Sequence, residues 1–303
     1  MKNTISTIKS VLQLIRVEHS VLGAIAGITG VAIAAELEQS AILDEFVEAF
    51  LIGFFGMWVP ILIIAGSFAL NDVFDLEIDR INKRFDRPLV RGELDPVKVK
   101  WASVLAIIIG VTLCMYFPLL VFTFTAMFAI LAVLYNLTLK ERGFIGNITI
   151  SACYTCPYIL GALIVGITLL NTIIIVMVLS SIAFLGGLGR EIYKGIMDIE
   201  GDSIRDIKTV ARTRGIKFAA YFSSLLFFIA IILTPIPLFF GFANNIGYLV
   251  FVLIADVMLI YVIVKILVSP NKEEVARQGR GLTLIAFIFG TLAFFAGALL
   301  IQA

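Results

Sequence analysis

The sequence predicts an all-α membrane protein with nine spanning helices, and three observations carry that prediction. Of 303 residues, 60% are hydrophobic and only 15% charged, where an ordinary soluble domain is about half apolar and about a quarter charged. The mean hydropathy of +1.06 excludes a disordered chain and speaks against a soluble multidomain protein. Uncharged runs reach 39 residues at 101–139 and 47 residues at 143–189, while one helix needs about 20 apolar residues to cross about 30 Å of hydrocarbon. Cutting these runs into nine spans gathers every basic residue on one side of the membrane.

The first span covers residues 19–35, extended at its start by 14–17, and the second covers 49–70. The run 101–139 breaks at Phe117-Pro118, because proline disfavours a continuous helix, and gives the third and fourth spans. The run 143–189 turns around 166–171 and gives the fifth and sixth. Residues 218–264 contain one acid, Asp256, and break at Pro235-Ile-Pro237 and Asn244-Asn245-Ile-Gly247, giving the seventh and eighth. Residues 281–303 are the ninth. No alternating strand pattern competes. No cleavable signal pattern precedes the first span, and the amphipathic stretch 5–15 suits the membrane interface.

Nine spans put the N-terminus and the loops after spans two, four, six and eight on one side. Three basic residues precede the first span, and seven lie in 80–100, two in 140–142, seven in 190–217 and four in 265–280, which accounts for all 23. The positive-inside rule places that face and the N-terminus in the cytoplasm, with the C-terminus outside. The net charge of +1 predicts no nucleic-acid partner. Cys114, Cys153 and Cys156 all fall inside spans and form no disulfide framework; Cys153-Tyr-Thr-Cys156 has redox or metal spacing, but with no second pair to complete a site it reads as packing.

Two cytoplasmic loops carry acidic stripes. After span two, Asn71, Asp75 and Asp79 are spaced i, i+4, i+8, with Asp72 beside them; after span six, Asp198, Asp202 and Asp206 repeat the spacing. On a continuing helix each set stacks on one face, where like charges repel. The helix C-terminus adds to the negative potential. A solvated loop explains one such stripe; two of equal spacing on one face favour a bound cation. Oxygen-only donors suit Mg²⁺, which typically bridges carboxylates to substrate phosphates, and Lys83, Arg84, Arg87 and Lys194 lie close in sequence. The stripes are 127 residues and four helices apart. That distance suggests a single domain over 1–303 with an internal four-helix repeat, helices 1–4 and 5–8, plus a ninth helix.

The segment Asn71-Asp72-x-x-Asp75-x-x-x-Asp79-Arg80-x-Asn82-Lys83-Arg84, followed by Arg87-Pro88, resembles the first aspartate-rich motif of the UbiA superfamily of intramembrane prenyltransferases. Asp198-x-x-x-Asp202-x-x-x-Asp206 resembles the second, and Tyr135-x-x-x-x-Lys140 a shorter family element. The likeness implies a helical bundle around a central cavity with a cytoplasmic polar cap, integral to the cell membrane and with its active site toward the cytoplasm. It implies an isoprenyl diphosphate donor and Mg²⁺ held by Asn71, Asp75, Asp198 and Asp202, with Asp72, Asp79 and Asp206 close by. Lys83, Arg84, Arg87, Lys140 and Lys194 would neutralise the diphosphate, Tyr135 would donate a hydrogen bond, and Asp75, Asp79, Asp202 and Lys140 would carry catalysis. The apolar spans, rich in phenylalanine, would hold the isoprenyl chain and keep water from the allylic cation.

The acceptor is a membrane-associated lipid or an aromatic ring. The segment Ile192-Tyr-Lys194-Gly-Ile-Met-Asp198-Ile-Glu-Gly-Asp202 is similar to archaeal lipid prenyltransferases that alkylate geranylgeranylglyceryl phosphate, while Arg16-Val-Glu-His19-Ser20 looks closer to members that use aromatic acceptors in quinone synthesis. The lipid acceptor is the leading expectation. Arg16 and His19, the one histidine, are the acceptor-side candidates. A polytopic transporter is the rival class; it would spread polar residues through the membrane depth, whereas here the charged clusters sit at one face and only Asp256 among the charged residues lies deep.

Overall fold

A computed structural model of the protein describes residues 2–39, 46–197, 199, 207–241, 245–269 and 273–298. The described residues form helices α1 (Lys2–Leu14), α2 (Val17–Leu37), α3 (Phe46–Phe74), α4 (Leu76–Ile81), α5 (Pro96–Leu113), α6 (Leu119–Leu137), α7 (Phe144–Val165), α8 (Leu170–Met197), α9 (Val210–Arg214), α10 (Ile216–Leu233), α11 (Ile246–Val268) and α12 (Glu273–Ala298). Among them nine are long and apolar enough to cross a membrane, namely all but α1, α4 and α9.

The breaks follow backbone chemistry. After α5 the chain makes a 3-10 turn at Cys114–Tyr116, and Phe117 becomes extended (ψ 172°), as a residue before proline must. Gly166 ends α7 at φ 93°. Pro235 opens a 3-10 turn, Ile236–Phe240, that Gly241 closes at φ 97°. Asp95 starts α5 as an N-cap, its carboxylate accepting from the Val97 and Lys98 N–H groups at 2.8 and 3.0 Å. The first span begins at Val17, where Arg16 in a left-handed conformation (φ 46°) separates it from α1, and runs two residues beyond the expected end, to Leu37. The sixth continues to Met197 and carries Arg190, Glu191 and Lys194 on the helix rather than in a loop.

α2 lies at the centre of the packing, touching α3, α7, α8 and α12, while α12 also meets α8 and α11 and so closes the bundle. Glycines allow the close approach. A Cβ on Gly27 would sit 2.1 Å from the Gly56 carbonyl oxygen of α3, and one on Gly161 of α7 would sit 2.0 Å from the Gly27 carbonyl oxygen. Small residues at such crossings let backbones touch where lipid offers no hydrophobic drive.

The ends of the bundle sort the loops. At one end Ser10 of α1 donates to Glu93 at 2.6 Å, Arg87 meets Asp72, and Tyr193 of α8 donates to the Val275 carbonyl of α12 at 2.8 Å. At the other end the Glu38 carboxylate accepts from the Thr168 hydroxyl at 2.6 Å and from the Thr168 and Leu169 N–H groups at 3.0 and 2.9 Å, and Asn245 donates to the Ala296 carbonyl at 2.7 Å. The spans therefore alternate, with α1 and the end of α12 at opposite ends of the bundle.

Candidate functional site

The first acidic stripe keeps its stacking through a joint between two helices. α3 ends at Phe74 and α4 begins at Leu76, yet the Asp75 N–H still donates to the Asn71 carbonyl at 2.9 Å and the Asp79 N–H to the Asp75 carbonyl at 2.8 Å. Asp72, Asp75 and Asp79 are all buried, at 4%, 8% and 2% exposure. Buried carboxylates need compensating cations, and the chain supplies them from distant segments. Arg87 Nη1 sits 2.7 Å from Asp72 Oδ1 with hydrogen-bond geometry, and 2.8 Å from Asp79 Oδ2 as a charge contact outside the hydrogen-bonding direction. Lys140 Nζ, in the turn after α6, pairs with Asp75 Oδ1 at 2.5 Å, while Asn71 donates to Asp75 Oδ2 at 3.1 Å. Arg16 reaches Asp72 at 3.4 Å. Burial pushes the Asp79 carboxyl above its ordinary range, with the Arg87 charge pulling the other way.

A second cluster sits on α8. Glu191 is buried and gathers three partners, with Lys194 at 2.7 Å, the Tyr154 hydroxyl at 3.2 Å and Arg190 at 3.4 Å. These partners explain why α8 runs on past its apolar segment. The sequence motifs point to Lys194 but not to Arg190, Glu191 or Tyr154. The signal was an acid followed three residues later by a lysine, which on a helix is a facing pair. Nearby, Phe68 of α3 supports both acceptor-side candidates, with the Arg16 guanidinium 4.5 Å over its ring and the His19 ring edge-on at 5.3 Å.

Both clusters open into one cavity of about 1090 Å³. Arg16, His19, Asn71, Asp72, Asp75, Arg84, Arg87, Tyr135, Lys140 and Lys194 all line it, together with Arg190, Glu191, Arg277 and Arg280. Away from that polar end its wall is apolar, with Ile63, Phe128, Leu160, Phe287 and Phe294 among the lining residues. Asp256 also lines it and accepts from the Thr234 hydroxyl at 2.8 Å, a partner 22 positions away that no sequence spacing announces. Asp79 stands behind the lining, joined through Arg87. Lys83 is exposed in the turn at φ 52°, and it is Arg84, paired with Asp86 at 2.9 Å, that reaches the cavity.

Asp198, Asp202 and Asp206 lie outside the described residues. Among the described residues no three acidic, histidine or cysteine side chains converge as they would around an ion. Asp72 and Asp79 converge on Arg87 and Asp75 on Lys140. Their chemistry nevertheless suits a hard cation. They are oxygen-only donors, buried beside a cavity, and each ionised carboxylate has about four lone-pair sites, of which the hydrogen bonds described leave several uncommitted.

Comparison with known proteins gives a consistent picture. The UbiA prenyltransferase family profile matches residues 21–285. A digeranylgeranylglyceryl phosphate synthase of Archaeoglobus fulgidus is 36% identical over 294 residues, covering 96% of either chain. The synthase of that name from Methanocaldococcus jannaschii is 31% identical, covering 96% of this chain and 97% of its own. A solved digeranylgeranylglyceryl phosphate synthase superposes with a TM-score of 0.72 at 29% identity, over 97% of this chain and 99% of that one. The fold is shared with an A. fulgidus UbiA homolog bound to GPP and Mg²⁺, at a TM-score of 0.64 and 15% identity, over 94% of this chain and 99% of the other.

Proposed function

This chain belongs to the UbiA prenyltransferase family, and from that premise we propose that it transfers a geranylgeranyl group from its diphosphate to geranylgeranylglyceryl phosphate, forming the second ether of an archaeal-type lipid. The observation that carries the reading is the cavity. It joins a polar end of paired carboxylates and cations to an apolar chamber large enough for isoprenyl chains, and the relatives named for this reaction match the chain over almost its whole length.

The chemistry follows from charge. Allylic C–O cleavage leaves the electron pair on the diphosphate and a cation on the isoprenyl carbon. Arg87, Lys140 and Arg84 are placed to meet the developing negative charge, the form of catalysis in which fixed charges match the transition state. Tyr135, on the same wall, supplies a hydroxyl donor. Mg²⁺ would be held by Asn71, Asp72 and Asp75, with Asp79 behind them and Asp198, Asp202 and Asp206 completing the set; when bound it neutralises the leaving group. Lys140, paired with Asp75 at the cavity wall, is the ammonium nearest the carboxylates that would face the diphosphate. The acceptor hydroxyl oxygen forms the new C–O bond, and its proton is released. The apolar wall excludes water, which would otherwise capture the cation.

The basic residues also orient the protein. Their gathering at the site's end of the bundle supports a cytoplasmic site in the cell membrane with the N-terminus inside.

The deciding experiment supplies purified protein with Mg²⁺ and radiolabelled geranylgeranyl diphosphate. Geranylgeranylglyceryl phosphate, 4-hydroxybenzoate and dihydroxynaphthoate are offered in parallel. Labelling of the phospholipid precursor alone is expected. Labelling of an aromatic acceptor instead would overturn the lipid reading and leave the family assignment standing.

A further inference from the structure

The cavity has cations that neither carboxylate cluster uses. Arg87 and Lys140 are engaged by the aspartates, and Arg190 and Lys194 by Glu191. Arg277 and Arg280 of α12 also line the cavity and are exposed, and their side chains make no ion pair or hydrogen bond with any described residue. The face of α12 that packs on α8 leaves Arg277 on the opposite side and Arg280 on the flank. The Tyr193 hydroxyl donates to the Val275 carbonyl at 2.8 Å and fills the notch at Gly279, where a Cβ would lie 2.6 Å from it. At 3.6 residues per turn, positions 277 and 281 point about 200° away from 279 and position 280 about 100° away, and all three line the cavity.

Two arginines three apart are neighbours on a helix and repel each other. An anion between them offsets that repulsion, and the planar guanidinium fork matches phosphate oxygens. Along the same helix the cavity face turns open and apolar. A Cβ on Gly281 would meet nothing within 4 Å, and Leu284, Phe287 and Phe294 follow it in the wall. The track therefore reads as a phosphate head followed by a hydrocarbon chain. The donor diphosphate belongs with the aspartates, so the second anionic amphiphile of the reaction remains to be placed.

We propose that Arg277 and Arg280 form the phosphate subsite of the acceptor, whose isoprenyl chain runs along α12 past Gly281 and Leu284. The assignment rests on the acceptor reading above and adds the residues that select for the phosphate. The test compares wild-type protein with R277Q/R280Q, using geranylgeranylglyceryl phosphate and its dephosphorylated alcohol as acceptors. Both side chains are exposed, so the double variant is expected to fold. The KM for the phosphate acceptor should rise by about tenfold or more, a tenfold change being an ordinary loss for one charged contact. The KM for the donor should stay within about twofold, and turnover of the alcohol should not distinguish the two proteins. Gly281→Leu, which fills open space, should raise the KM for both acceptors without moving that of the donor. An unchanged KM for the phosphate acceptor, or an equal loss with the alcohol or the donor, overturns the subsite while the acceptor reading survives. Failure of the wild type to alkylate geranylgeranylglyceryl phosphate overturns both.

Discussion

At the scale of single residues, the site is a set of buried charges whose partners come from far along the chain. Lys140 and Asp75 are 65 positions apart, and Arg87 joins Asp72 to Asp79. Removing one member of a buried pair leaves its partner uncompensated, which typically costs about 3–5 kcal/mol. Arg87→Ala leaves buried Asp79 without its cation and Asp72 with only the longer Arg16 contact; a loss of about 3 kcal/mol is expected, read as a lower thermal midpoint in detergent. Arg87→Lys should recover only part, since an ammonium keeps the charge without the fork. Lys140→Met should lower kcat by about a hundredfold with a smaller effect on the acceptor KM, because in the proposed reaction its charge meets the leaving group. Lys83→Ala should stay within about twofold of wild-type kcat/KM, as expected of an exposed side chain outside the cavity wall. A large loss there would restore Lys83 to the diphosphate site. Sequence reading treated Lys83, Arg84 and Arg87 alike because they are neighbours on a line. Only the left-handed turn at Lys83 separates them.

At the scale of elements, two joints tie the bundle to its polar end. The first is the crossing of α2 with α7, where Gly161 meets the Gly27 carbonyl at backbone distance. Gly161→Val cannot be relieved by a flexible neighbour, since the obstructing atom is a carbonyl oxygen. Overpacking of this kind costs about 1–3 kcal/mol, and a lower melting point with reduced kcat is the expected outcome. The second is the latch of α1 on the segment before α5. Glu93 accepts from Ser10, and Arg91 pairs with Glu93 at 2.7 Å and donates to Gln13 at 2.9 Å. The Arg91 partnership, with help from Ser10, holds the Glu93 carboxyl down to about 2. A carboxyl lowered from its ordinary value of 4.5 stabilises the latch above that value and loses the contribution as pH falls toward 2. Hydrogen exchange in residues 82–95 should therefore be insensitive to pH between 5 and 7, after correction for intrinsic rates, and should accelerate below about 4. Glu93→Gln should abolish that pH dependence. The spans themselves were legible because prolines and glycines punctuate the apolar runs at 118, 166 and 235–241. The α1 latch was legible only as an amphipathic helix; its attachment depends on pairings across 78 and 83 positions that no local pattern encodes.

At the scale of the whole molecule, the sorting of charge decides which way the enzyme faces. All 23 basic residues fall before the first span or in the loops and adjoining helix ends that alternate spans share, and the polar contacts of the site gather at one end of the bundle. Sequence alone exposed this asymmetry, because each span reverses direction and every miscounted helix would have scattered the basic residues over both faces. What it left hidden was the convergence of α2, α3, α8 and α12 on one cavity, since Arg277 and Arg280 stand some 200 positions from the first aspartate motif. A membrane-impermeant thiol reagent tests the orientation. In a background with Cys114, Cys153 and Cys156 replaced by alanine, a cysteine at position 40 should react from outside intact cells. One at position 85, whose native side chain is exposed at the site's end, should react only after the membrane is opened. The donor is a charged diphosphate, so a cytoplasmic site receives it without carrying that charge through hydrocarbon, where each ion is costly. Reaction at 85 in intact cells would place the cavity mouth outside. The positive-inside count would then have failed in a chain where it has no exceptions, and the donor would need a route across the membrane.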